Sequence, residues 1–155
     1  MVLQPLTVRG VTRGDFAEWE PLWRGYNRFY GRDQFPAEIT RMTWSRFFDA
    51  YEPVHALVAQ RAGRLVGLVH YLFHRSTIQI EPSCYLQDLY TDETARNQGV
   101  GRMLIEAVYQ QARNSGAHRV YWLTHEGNVT AIRLYDQMAQ RSGFIVYRKQ
   151  LDFAD

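Results

Sequence analysis

Arg96-Asn97-Gln98-Gly99-Val100-Gly101-Arg102-Met103-Leu104-Ile105-Glu106 is the stretch that decides the fold. It follows an alternating strand over residues 84–91, closed by the acidic turn Asp92-Glu93, and it opens a helix. Val100, Met103, Leu104, Ala107, Val108 and Ala112 step by threes and fours, which is one apolar stripe of a helix, and Asn114-Ser115-Gly116 stops it. A strand running through glycines into a helix N-terminus presents unsatisfied N–H groups and a partial positive charge, the conditions that bind phosphate. Gly99 and Gly101 carry no Cβ to hold an anion off, and Arg96 and Arg102 add donors for phosphate oxygens. Spaced glycines also serve as plain tight turns. A dinucleotide fingerprint requires Gly or Ala where Leu104 stands, and a P-loop requires a Gly-Lys-Ser/Thr that is missing.

Outward from this segment the chain reads as alternating layers. Residues 6–11 alternate as a strand, and Asp15 caps a helix whose stripe is Phe16, Trp19, Leu22, Trp23, Tyr26 and Tyr30. Residues 40–51 carry helical spacing, with Met42, Phe47 and Phe48 inward, until Pro53 blocks continuation. Residues 56–59 and 65–74 form a hairpin through Arg61-Ala62-Gly63-Arg64. After the glycine helix come a strand at 120–124, a helix that starts at Asn128 or Thr130, and a final strand or pair of strands over 144–151. The order β-α-α-β-β-β-α-β-α-β gives an α/β (α+β) fold with helices on both faces of a mixed sheet. There are no repeats or linkers, so a single domain over 1–155 is expected.

The bulk numbers narrow the function. Eighteen basic and sixteen acidic residues are interspersed, with no like-charge run for nucleic acid or an anionic membrane surface. Cys84 is the lone cysteine, so no internal disulfide forms and a cysteine-based zinc site is disfavoured. His125-Glu126 lacks the second histidine of a zinc protease helix, since position 129 is Val129, and no metal is expected. Residues 1–10 lack a basic and apolar leader, and no apolar run approaches membrane length, so the expected location is the cytoplasm.

The glycine segment is similar to the acetyl-CoA motif of the GNAT (Gcn5-related N-acetyltransferase) superfamily, Gln/Arg-x-x-Gly-x-Gly/Ala. Asn128-Val129-Thr130-Ala131-Ile132-Arg133-Leu134-Tyr135 resembles its second signature, Asn-x-x-Ala-x-x-Leu-Tyr, in the family's order and separation. Tyr85-Leu86-Gln87-Asp88-Leu89-Tyr90 and Tyr121-Trp122-Leu123-Thr124-His125-Glu126-Gly127-Asn128 resemble the branch that holds a yeast histone and polyamine acetyltransferase and the diamine acetyltransferases. The resemblance implies a mixed, mostly antiparallel sheet of six to seven strands with a splayed central pair, flanked by about four helices. It implies an N-acetyltransferase that moves an acetyl group from acetyl-CoA to a primary amine: a polyamine, an amino acid, another small amine or a lysine side chain. An inert acyl-CoA-binding sensor or interaction module on the same fold is the alternative.

The resemblance also assigns roles. The backbone of Gln98, Gly99, Val100, Gly101 and Arg102, with Arg96, Asn97 and Asn128, would hold the cofactor. Leu89, Tyr90 and Thr91 would pair with its pantetheine arm, and the Leu89 N–H would polarise the thioester carbonyl. Tyr135 would protonate the leaving thiolate, its phenol lying seven residues after Asn128 on one helix face. Diamine acetyltransferases place a Glu-Asp pair where this chain has Gln87-Asp88. Gln87 cannot act as a base but could position a water. Strict strand alternation turns Asp88, the ionisable candidate, to the opposite face. His70, His74, His125 and Glu126 are further base candidates. Tyr26, Tyr30, Phe35 and Glu126 are candidates for the amine pocket, by cation–π contact or charge. The apolar segment 144–151 leaves a sheet edge and suggests a homodimer.

Overall fold

The computed structural model describes residues 2–153. It divides into two compact units, Met1–Leu123 and Thr124–Asp155. The first contains β1 (Leu6–Gly10), α1 (Phe16–Phe29), α2 (Ala37–Arg46), β2 (Val54–Arg61), β3 (Arg64–His74), β4 (Ser83–Thr91), α3 (Val100–Asn114) and β5 (Arg119–Tyr121). Single 3-10 turns precede α1 at Arg13–Asp15 and α3 at Glu93–Ala95. The second unit contains α4 (Val129–Met138). Among the described residues no helix is long and apolar enough to cross a membrane.

The five strands lie in the order β1-β2-β3-β4-β5. The first three junctions are antiparallel, and β5 joins β4 in parallel over only three residue pairs, Ser83↔Arg119 to Tyr85↔Tyr121. The expected six to seven strands are therefore five among the described residues. Residues 144–151 form no strand, and Phe144, Ile145, Val146 and Tyr147 are exposed. Alternating apolar residues favour a strand only where a neighbouring edge receives the backbone bonds. Among the described residues β4 and β5 accordingly lie at one side of the sheet, with β5 as its edge.

Local chemistry accounts for most element ends. The β2–β3 hairpin turns on Ala62 and Gly63, both at positive φ, as a two-residue turn of the primed type demands. Asp15 accepts from the Thr12 backbone N–H at 2.8 Å and from two Arg9 nitrogens at 2.7 and 2.9 Å, fastening the start of α1 to β1. α1 ends in a Schellman motif: Gly31 at φ +76° lets its N–H reach the Arg28 carbonyl, and the Arg32 N–H reaches that of Asn27. α2 starts at Ala37, three residues before the expected helix, because Pro36 supplies an N-terminal flank. Met42 then faces outward and is exposed, contrary to the inward placement expected of it.

α1 and α3 cover opposite faces of the sheet. Trp19, Leu22, Trp23 and Tyr26 of α1 pack with Val58, Leu65 and Leu68. Burying aromatic rings of this size removes roughly 150–250 Å² each from water. On the other face, Val100, Leu104, Ile105, Val108 and Ala112 form the buried stripe of α3. Gly67 of β3 lets that helix sit close: a Cβ there would stand 2.8 Å from Val100 Cγ1 and 3.1 Å from Leu104 Cδ1.

Candidate active site

The glycine segment links the end of β4 to α3. Asp92 caps the intervening turn by accepting from the Thr94 hydroxyl and from the Thr94 N–H at 2.9 Å, and these bonds, the hydroxyl's first, with Arg64 and Arg96 nearby, hold its carboxyl below the usual carboxylate range. Asn97 and Gly99 take φ of 60° and 82°, so the chain reverses before Val100 enters the helix. Nothing lies within 4 Å of a Cβ built at Gly99, so glycine is needed there for its conformation. The Gln98 side chain is tied down, accepting from Arg61 at the end of β2 and donating to the Thr94 carbonyl at 3.4 Å. Arg96 donates to the Thr91 carbonyl at 3.3 Å, and its guanidinium stands 5.7 Å from the Tyr90 ring centroid. Arg96, Asn97, Gln98 and Gly99 are exposed, and the α3 axis points its first-turn N–H groups toward them.

Upstream of this loop β4 has an open edge. Its pairing with β5 stops at Tyr85, so among the described residues β3 is the only strand paired with residues 86–91. The Asp92 N–H donates to the Val66 carbonyl, and backbone groups alternate along an antiparallel strand. Leu89 and Thr91 therefore direct their N–H and C=O to the open side, as the Arg96 bond to the Thr91 carbonyl also requires. The Tyr90 side chain turns toward α1, where Gly25 makes room: a Cβ on Gly25 would lie 2.5 Å from the phenol oxygen.

Asp88 corrects the sequence reading. β3 and β4 pair as His70↔Asp88 and then Tyr71↔Leu86, so Gln87 is an extra residue, a β-bulge. Unbroken alternation would put Asp88 on the face of Leu86 and Tyr71. The bulge reverses this and turns the carboxylate toward α1, opposite His70. Gln87 itself is exposed. His70 Nδ1 lies 2.9 Å from Asp88 Oδ2, and the side chains are 3% and 12% exposed. Trp19 Nε1 donates to His70 Nε2 at 3.1 Å. With both ring nitrogens engaged inside the core, His70 is not available as a base toward a ligand.

Around Asp88 stand the C-terminal residues of α1. Burial, then the charge of Asp88 and a hydrogen bond to it, push the Tyr26 phenol far above its ordinary range, so it remains a donor to the carboxylate. Burial followed by the same charge raises Tyr30. The Arg32 guanidinium is 5.8 Å from the Tyr26 ring centroid and 5.5 Å from that of Tyr30, and its Nε donates to Asn27 Oδ1 at 2.8 Å. A negative and a positive group thus flank two phenols. Arg32 escaped the sequence reading, although the Gly31 helix stop beside Tyr30 was its signal.

The other candidates fall elsewhere. Phe35 packs edge-on against Trp23, with centroids 5.7 Å apart, as part of the core. His74 Nε2 is 2.7 Å from the Tyr121 hydroxyl. Cys84 is fully buried, and burial pushes its thiol up to about 11, away from nucleophile chemistry. In the second unit, Glu126 lies in the turn before α4, and His125 Nδ1 accepts from the Gly127 N–H at 3.0 Å. Asn128 caps α4, its side chain accepting from Ala131 at 3.4 Å, and Tyr135 lies two turns into that helix.

The unpaired stretch of β4 thus leads through the glycine segment into the N-terminus of α3. The chain belongs to the acetyltransferase (GNAT) family, whose model matches residues 19–139. It is similar to the D-amino-acid N-acetyltransferase HPA3 of Saccharomyces cerevisiae, 34% identical over 151 residues, covering 96% of this chain and 93% of that protein. It is also similar to the L-ornithine N5-acetyltransferase NATA1 of Arabidopsis thaliana, 32% identical over 74 residues, 48% of this chain and 32% of the relative. A solved structure of AAC(6')-Iy in complex with a bisubstrate analogue of coenzyme A shares the fold at a TM-score of 0.81 and 16% identity, covering 95% of this chain and 99% of that one. The chain is therefore an acetyl-CoA-dependent N-acetyltransferase.

Proposed function

We propose that the protein acetylates the amino group of a small amino acid. The observation that carries this reading is the Asp88 carboxylate, bulged onto the α1 face beside the open β4 edge, with the Arg32 guanidinium across Tyr26 and Tyr30. Asp88 suits the amine and Arg32 the carboxylate of one substrate. The likeness to a D-amino-acid N-acetyltransferase over almost the whole chain supports the class.

Acetyl-CoA supplies the acetyl group as a thioester. The first turn of α3, from Val100 through Gly101 to Arg102, holds the pyrophosphate with Arg96 beside it. Leu89 and Thr91 pair with the amide-bearing arm along the open edge, and the Leu89 N–H donates to the thioester oxygen as negative charge develops there. Asp88 accepts the amine proton as nitrogen bonds to the carbonyl carbon. Tyr135 gives its proton to the sulfur as the carbon–sulfur bond breaks, a role resting on the signature over residues 128–135. The enzyme is read as a cytoplasmic homodimer, the exposed apolar segment 144–151 being the support for self-association.

Thiol release measured across an amine panel tests this. Free amino acids should turn over better than their amides and better than polyamines, and Arg32→Gln should raise KM about tenfold for the acids alone, the loss of one charged pair. Equal turnover of acid and amide overturns the amino-acid assignment. Tyr135→Phe should lower kcat about 100-fold while acetyl-CoA still binds.

A further inference from the structure

Asp88 is one end of a three-residue chain that runs back into the core. Trp19 Nε1 can only donate, so the bond to His70 Nε2 at 3.1 Å requires that nitrogen to accept. The ring proton then resides on Nδ1, which donates to Asp88 Oδ2 at 2.9 Å. The imidazole cannot turn away, because Trp23 and Phe47 lie against it with ring centroids 5.1 and 4.8 Å from its own. His70 is 2% exposed and Trp19 is fully buried, so solvent does not compete for these bonds.

A buried histidine directly across the strands from a bulged aspartate is more than core filling. Apolar packing would be served as well by leucine at 70. Leucine would leave the Trp19 indole N–H without a partner and the Asp88 carboxylate with the Tyr26 phenol alone. The Gln87 bulge turns Asp88 to the correct face, while the Trp19–His70 pair fixes which oxygen is engaged and how the carboxylate lies.

We infer that His70, held in its Nδ1–H tautomer by Trp19, is a positioning residue that orients the Asp88 carboxylate for the amine. The inference rests on the reading of Asp88 as the group that takes the amine proton, and the test separates the two. Steady-state kinetics at saturating acetyl-CoA compare Asp88→Asn, His70→Leu, His70→Asn and the double variant Asp88→Asn/His70→Leu. Asp88→Asn should lower kcat about 100-fold or more, the range for a lost acid–base group. His70→Leu should lower kcat about 10- to 100-fold without changing KM for acetyl-CoA, whereas His70→Asn, whose amide N–H replaces Nδ1, should stay within about threefold. The double variant should be no worse than Asp88→Asn alone, because both changes remove one function.

Full activity of Asp88→Asn overturns the reading of Asp88, and the relay with it. Loss in Asp88→Asn together with full activity of His70→Leu, or with additive loss in the double variant, overturns the relay and leaves Asp88 standing. If the His70 variants do not fold, the nitrogen resonances of histidine-labelled native protein decide. Protonation on Nδ1 with Nε2 bare supports the inference, and a proton on Nε2 sinks it.

Discussion

His70 and Asp88 meet across adjacent strands with Nδ1 2.9 Å from Oδ2, and the single extra residue Gln87 is what lets them share a face. An odd insertion in a period-two element reverses every side chain beyond it. Deleting Gln87 would join Leu86 directly to Asp88 with the pairs Tyr71↔Leu86 and His70↔Asp88 intact, so Asp88 should keep its face opposite His70 and the variant should retain turnover. Single-turnover kinetics check this, and turnover abolished in a folded deletion variant would contradict the register.

Gly67 sets how closely α3 approaches the sheet. In Gly67→Ala the new methyl would stand 2.8 Å from Val100 Cγ1 and 3.1 Å from the Tyr90 carbonyl oxygen, a backbone atom with little freedom to yield. Overpacking of this kind costs roughly 1–3 kcal/mol. At roughly 2–4 °C per kcal/mol for chains of about this size, thermal melting should show a clear fall in Tm. Calorimetry should also show weaker acetyl-CoA binding, because Val100 opens the helix that follows the glycine loop.

At Gly99 the opposite situation holds. There is open space for a methyl, but φ is 82°, so Gly99→Ala costs only the left-handed conformation, about 1–2 kcal/mol. The fold should survive with a small loss of Tm, and the loss in acetyl-CoA affinity should exceed what that strain alone explains. An unchanged affinity would show that the loop is a turn and nothing more.

Acid stability has an identifiable contributor. The Arg9 guanidinium holds the Asp15 carboxyl down to about 2, with the Thr12 N–H assisting, whereas the unfolded group titrates near 3.8. A depressed folded-state value contributes stability above the unfolded value and loses it as pH falls toward the folded one. Denaturant titrations should show that contribution disappearing between about pH 4 and pH 2, and Asp15→Asn should flatten that part of the curve.

Cys84 should be inert in the native protein. Its thiol is fully buried and pushed up to about 11, so alkylation at pH 8 should proceed only through unfolding, at a rate that denaturant accelerates. Rapid native labelling would contradict the burial of β4.

Much of this was legible in the sequence for physical reasons. The hairpin at Ala62-Gly63 and the stripe of α3 are each set by residues within a few positions. Asn128 and Tyr135 were placed on α4, and Asn128 is the residue that caps it. What escaped depends on partners distant in sequence. A bulge leaves no mark in a pattern of Tyr, Leu, Gln and Asp, so Asp88 was turned to the wrong face. The engagement of His70 required Trp19, 51 residues away, to be laid across β3. The segment over 144–151 has the alternation of a strand, but alternation describes a side-chain pattern and not the edge it must join.

The open side of β4 also bears on how the protein behaves between turnovers. A strand flank with unpaired amides adheres to other extended chains. On the proposed reading the arm of acetyl-CoA occupies that flank as a borrowed strand, so the ligand masks a sticky seam as well as delivering a reagent. A shortage of acetyl-CoA would then slow the chemistry and also shift the enzyme toward clumping, tying its solubility to the supply of its own co-substrate.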